Sequence, residues 1–123
     1  MRSKIGVLAI AFLLFTAAVC TGEPGDLVYV GCFKGTAEKG FTIGFVIQEI
    51  AKEACLTECV ILDGIMATRV KFERNYPVVR NGQLTNGPFS GSFISESRFE
   101  GTYNSIVRYS PVRFVADRVP EKP

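Results

Sequence analysis

The chain has 123 residues, four cysteines, no histidine, no tryptophan and a formal net charge of +2. That length suits one domain with a modest core. The missing histidine removes the commonest general base, the Ser–His and Cys–His nucleophile pairs and most zinc sites, and the near-neutral charge makes nucleic acid a poor ligand.

Residues 1–22 read as a secretory signal. Arg2 and Lys4 precede an apolar run over residues 5–19, and small residues including Ala17, Ala18 and Gly22 follow. The run falls short of the ~20 apolar residues a spanning helix needs, and no later stretch reaches that length, so no transmembrane span is expected. Cleavage between residues 18 and 22 decides whether Cys20 stays with the exported chain. Loss of Arg2 and Lys4 leaves 12 basic and 12 acidic residues. They are unevenly placed: residues 23–63 hold 3 bases and 7 acids, and residues from Gly64 onward hold 9 bases and 5 acids. Halves of opposite sign steer encounters with charged partners. No Asn-x-Ser/Thr acceptor occurs, which excludes N-glycosylation.

A single domain is expected over residues 23–118, with a flexible tail over 119–123. Residues 27–33 read as a strand, and residues 41–46, with Gly40 and Gly44, as an extended lead into a helix. Ile47, Ile50, Ala51, Ala54, Cys55 and Glu58 then follow the i, i+3, i+4, i+7 series, which predicts an amphipathic helix over about 47–60, stopped by Asp63-Gly64. Met66, Thr68, Val70 and Phe72 alternate with Ala67, Arg69, Lys71 and Glu73, the period of a half-buried strand. Asn81-Gly82 between residues 78–80 and 83–85 predicts a hairpin through a type I′ turn. Weak or short strands are expected at 89–95, 97–101, 105–109 and 113–116. The fold class expected is therefore α+β: one helix packed on a mostly antiparallel sheet.

Export makes disulfides available to Cys32, Cys55 and Cys59, and to Cys20 if it is retained. On a helix, Cys55 and Cys59 would stand one turn apart, with Cβ atoms about 5–6 Å from each other, too far to bridge. Each therefore needs a partner elsewhere, and Cys32 can serve one. A Cys32–Cys55 bridge would close a loop of about 24 residues and contribute ~3 kcal/mol. Loss of Cys20 would leave one helix cysteine for a disulfide-linked homodimer. With no histidine and a C-x3-C spacing, no metal site is expected.

Tyr29-Val30-Gly31-Cys32-Phe33, followed by Glu53-Ala54-Cys55-Leu56-Thr57-Glu58-Cys59, resembles the opening half of a WSC domain, which has a Tyr-x-Gly-Cys-aromatic strand and then a helix with two cysteines four apart. The C-x3-C helix also resembles that of PAN/apple modules. The resemblance covers residues 29–59; beyond Cys59 there are no cysteines to match the later ones of those families. It implies extracellular recognition of glycans or proteins without catalysis.

Paired carboxylates are the remaining route to catalysis. Glu49 and Glu53 fall on the polar face of the expected helix, and Glu96 and Glu100 have no partner acid in view. No enzyme activity, cofactor or phosphate-cradling loop is expected. The C-terminal half places arginine beside aromatics, and Tyr76, Arg98, Tyr103, Arg108 and Tyr109 form the candidate ligand surface, through stacking and guanidinium contacts. The sequence thus points to a secreted, non-enzymatic extracellular binding protein whose ligand is a glycan or a protein surface. Two alternatives stand beside it: a toxin or defence effector acting on membranes or channels, and a matrix component linked through an unpaired cysteine.

Overall fold

The computed structural model describes residues 24–37 and 40–120. The expected signal, Cys20 and residues 121–123 of the tail lie outside them. A 3-10 helix, Pro24–Tyr29, leads into eight strands: β1 (Gly31–Thr36), β2 (Phe41–Ile50), β3 (Glu53–Asp63), β4 (Met66–Lys71), β5 (Gln83–Leu84), β6 (Ser90–Ser95), β7 (Arg98–Ser105) and β8 (Ser110–Val119). They form one antiparallel sheet in the order β4-β3-β2-β1-β8-β7-β6-β5. Strands adjacent in sequence are adjacent in space, except that β4 and β5 do not pair and β1 pairs with β8 instead.

The sheet curls into a half-barrel. Its two flanks are stitched by the segment 77–80. Leu56 N–H donates to the Pro77 carbonyl and Val79 N–H to the Ala54 carbonyl, both at 2.8 Å, while Arg80 exchanges backbone hydrogen bonds with Gln83 of β5. The lower half of β3 thereby reaches β5.

Curling turns alternate residues of each strand inward. Phe33, Phe41, Phe45, Phe89, Phe93, Phe99 and Phe114 meet there with Ile43, Ile47, Leu56, Ile61 and Leu84, all buried. Phe45, Phe89, Phe93, Phe99 and Phe114 contact one another at centroid separations of 4.9–5.9 Å, mostly edge to face. Each such pair adds about 0.5–1.5 kcal/mol beyond area burial. A barrel of eight strands has an interior just wide enough for side chains to fill, and here phenylalanine fills it. The grooves found among the described residues are open ones along the sheet and its loops.

The expected α+β class is corrected to almost all antiparallel β, 65% strand and 5% helical with no helix of seven or more residues. The helix expected over 47–60 is the β2–β3 hairpin. Its turn is Ala51-Lys52, at φ 53° and 68°, a left-handed pair usually signalled by Asn or Gly. Ala51 and Lys52, flanked by Gln48, Glu49, Glu53 and Ala54, read locally as helix formers. Longer-range pairing of β-branched and aromatic residues on β2 and β3 overrides that preference. Residues 27–29, expected to open a strand over 27–33, belong instead to the 3-10 helix before Gly31.

The expected disulfides within this set are also corrected: among the described residues Cys32, Cys55 and Cys59 are free and none is bridged to another. Strand β2 lies between β1 and β3, so Cys32 stands two strand spacings, roughly 9–10 Å, from β3, beyond the Cα reach of a disulfide. On a strand Cys55 and Cys59 lie about 13 Å apart rather than one helical turn. Pairing of Val46 with Glu58 and of Ile47 with Leu56 leaves Thr57 as an extra residue. After this bulge Cys59 joins the core cluster, which does not include Cys55.

Candidate binding surface

The two ends of the half-barrel differ. One is plugged. Asp26 of the 3-10 helix is buried, and its carboxylate accepts the Asn81 and Gly82 N–H groups at 3.0 and 2.9 Å. Those residues have φ 53° and 73°, the expected type I′ turn. Tyr29 stacks on Phe93 with centroids 4.3 Å apart. Arg118 of β8 closes the plug, donating to the carbonyls of Val28, Val30 and Glu96 at 2.5–3.1 Å.

The other end is formed by the β1–β2, β3–β4 and β7–β8 turns, and it is apolar. Ile65 is 100% exposed, Met66 48%, Ile106 66%, Val107 45% and Tyr109 90%. Ile65 and, at the start of β4, Met66 come from one turn region and the other three from a second, and the two turns touch: a Cβ on Gly64 would lie 3.6 Å from Val107. Beneath them Ser105 Oγ donates to Asp63 Oδ2 at 2.7 Å and accepts the Arg108 N–H at 3.0 Å. Gly64 N–H donates to the Gly40 carbonyl at 3.0 Å, linking the third turn. Buried polar contacts thus hold an exposed apolar rim in place. Single exposed apolar residues are ordinary, but a contiguous group of them marks an interaction site.

The segments on either side of the β3–β4 and β7–β8 turns that carry the apolar side chains lack acidic residues. Residues 64–72 and 101–116 contain no Asp or Glu, and they carry Arg69, Lys71, Arg108 and Arg113. Arg69 binds the mostly buried Glu58 at 2.6 Å. A groove of about 570 Å³ runs along the sheet past Ser90, Ser92, Glu100, Thr102 and Arg113. Its one aromatic neighbour, Phe114, is committed to the core.

The five candidate ligand residues do not form one surface. Arg108 and Tyr109 sit on the rim. Tyr103 lies below it, turned inward against Phe41 at 5.5 Å; burial, then the charges of Asp63 and Cys59, raise its phenol pKa. Arg98 begins β7 at the plugged end, about 23 Å of strand from Ser105. It donates to Asp117 at 2.8 Å, and that hydrogen bond and charge raise its pKa further. Tyr76 is half-buried on the flank beside Pro77. Sequence reasoning missed Ile65, Met66, Ile106 and Val107, because their exposure follows from which turns the topology brings together. The signal available is the run Ser-Ile-Val-Arg-Tyr-Ser, whose first five residues read in sequence as a short strand over 105–109.

Among the described residues no group of three His, Cys, Asp or Glu side chains is placed to hold a metal ion, and no helix is long and apolar enough to cross a membrane. No protein family, curated protein or solved structure matches the chain.

Proposed function

We propose that this chain is a secreted, non-enzymatic binding protein that engages an extracellular protein through the apolar rim of its open end. The observation that carries this reading is the cluster of Ile65, Met66, Ile106, Val107 and Tyr109 on two touching turns. With phenylalanine filling the interior, ligand contact falls to the outside. Aliphatic tips match the desolvated centre of a protein interface, and the basic residues around them match an apolar patch with an acidic border. A glycan is less well served, because the outer groove offers hydroxyls and charges without an exposed ring to stack on.

The test is photo-crosslinking from positions 65 and 106 of the secreted protein in its native fluid, with position 92 in the outer groove as control. A protein adduct from the rim positions only, lost in Ile65→Asp and Ile106→Asp variants of unchanged melting temperature, supports the proposal. Binding to a glycan array, or leakage of anionic vesicles abolished by the same variants, would replace the protein ligand with a glycan or a membrane. Disulfide-linked dimers lost on Cys32→Ser would move the reading to a linked matrix component.

A further inference from the structure

Strand β4 is a second feature that the rim does not account for. It ends the sheet, and among the described residues no strand pairs with its outer edge. Among the described residues its inward face is covered only at Val70, which packs against the core, and its outward face is open. Met66, Thr68 and Val70 stand opposite Asp63, Ile61 and Cys59, all buried, so they lie on the inward face; yet Met66 and Thr68 are exposed and only Val70 is half-buried. Ala67, Arg69 and Lys71 on the other face are exposed as well. The stitching segment 77–80 covers the edge of β3 only as far as Leu56, and β4 pairs above it, from Glu58 to Asp63. The half-barrel therefore closes below β4 and leaves that strand as an open flank.

An unpaired strand edge is a template for another chain, and proteins guard such edges with proline, bulges, covering loops or charge. Over its six residues β4 has no proline and no bulge, and among the described residues nothing pairs with its outer edge. What it has is a net positive charge: Arg69, paired with Glu58, and Lys71 on the strand, and Arg74 beyond the single carboxylate of Glu73. An excess of positive charge disfavours a second copy of the same strand and favours a strand that carries carboxylates.

We propose that β4 is a docking strand, to whose free edge an extended segment of the partner carrying carboxylates adds by backbone hydrogen bonding. Roughly half of the six residues turn both backbone groups to that edge, so main-chain bonds supply affinity while alternate side chains supply selection. The segment's acidic side chains meet Lys71 and Arg74, and one of its ends lies beside Ile65 and Met66 of the rim. This inference rests on the reading of the chain as a protein-binding protein, and it names the form of the partner.

The test uses the full secreted protein and three peptides: one of alternating valine and glutamate, its lysine counterpart, and the glutamate peptide N-methylated at alternate residues. The glutamate peptide is expected to slow amide exchange across Met66–Lys71. Its affinity should fall at least tenfold on N-methylation, on exchange of glutamate for lysine and in the Lys71→Glu/Arg74→Glu variant, which spares the Arg69–Glu58 pair. Equal binding by the N-methylated peptide, protection confined to turns 64–65 and 106–109, or no binding by the glutamate peptide would each overturn strand addition. Loss of the partner in Ile106→Asp together with any of those results leaves the rim reading standing. Protection of β4 by the peptide with the partner retained in Ile106→Asp discards the rim and keeps the docking strand.

Discussion

The guanidinium carbon of Arg118 stands 4.9 Å from the ring centroid of Phe33, and its Nη1 occupies the space that a side chain at Gly31 would fill. The three residues are one device. Gly31 has φ 153°, open to glycine and strained for other residues. Its missing Cβ admits the guanidinium, which binds three carbonyls around the plug and lies over the first inward ring of β1. Gly31→Ala should displace Arg118 and destabilise the fold by about 2 kcal/mol or more. Arg118→Met should do the same by leaving those carbonyls without their donor. Arg118→Lys should recover little, because one ammonium cannot reproduce a planar fork. Urea midpoints read all three, and an unchanged midpoint for Gly31→Ala would remove the device from the account.

At the opposite end Asp63 and Ser105 tie the β3–β4 turn to the β7–β8 turn. Asp63 is buried and its Oδ1 has no hydrogen-bond partner among the described residues, so the bond from Ser105 is valuable to it. Ser105→Ala should lower stability by about 1–3 kcal/mol and release the Arg108 amide to faster exchange. The double variant Asp63→Ala/Ser105→Ala should be less destabilised than the two single effects added together, since removal of both partners leaves no buried carboxylate stranded. Additive effects would mean that the two turns are held by something else.

How far the sequence reveals this molecule depends on whether each signal is local. Asn81-Gly82 carries its turn in its own residues, and the alternation over residues 66–72 marks β4 without reference to neighbours. The β2–β3 turn does not, because Ala51-Lys52 adopts left-handed geometry that neither residue prefers and that only the pairing of the flanking strands enforces. The cysteine pairing failed for the same reason: once residues 47–60 are strands, β2 separates Cys32 from both expected partners. The burial of Met66 and Thr68 expected from alternation is absent, since alternation shows which side chains share a face and not whether anything covers that face. The rim and the Gly31–Arg118 contact join residues far apart in sequence, and no local pattern carries them.

The thiols should differ in reactivity by position. In the native protein the half-buried Cys32 should alkylate first, and Cys55 and Cys59, both buried, should follow more slowly. Without reductant, denaturation should expose all three. Burial, with Glu58 adding to it, pushes the Cys59 thiol from 9.0 up to about 11. A thiol whose folded value is raised keeps its proton in the native state while the unfolded chain has already lost it. Stability should therefore fall as pH rises from about 9 to about 11. The raised Tyr103 phenol acts in the same direction. Denaturation midpoints across that window should decline less steeply in Cys59→Val and Tyr103→Phe, and an undiminished slope in the double variant would exclude both groups as its source.

Tyr109 allows stability and binding to be separated. It holds φ 55° while its ring is almost wholly exposed, a conformation uncommon for a bulky residue and one that no core packing repays. Tyr109→Gly relaxes the backbone and should raise stability by about 0.5–1 kcal/mol. If the ring is held outward to meet a partner, the same substitution should weaken binding, because an exposed tyrosine is a common anchor of interfaces. Tyr109→Asn accepts the left-handed backbone but lacks the ring, so it should lose binding without the change in unfolded-state entropy that glycine brings. Melting temperature together with crosslinking yield from position 65 reads both effects. A gain in stability with full crosslinking would make Tyr109 a strained bystander and confine the rim to its aliphatic tips.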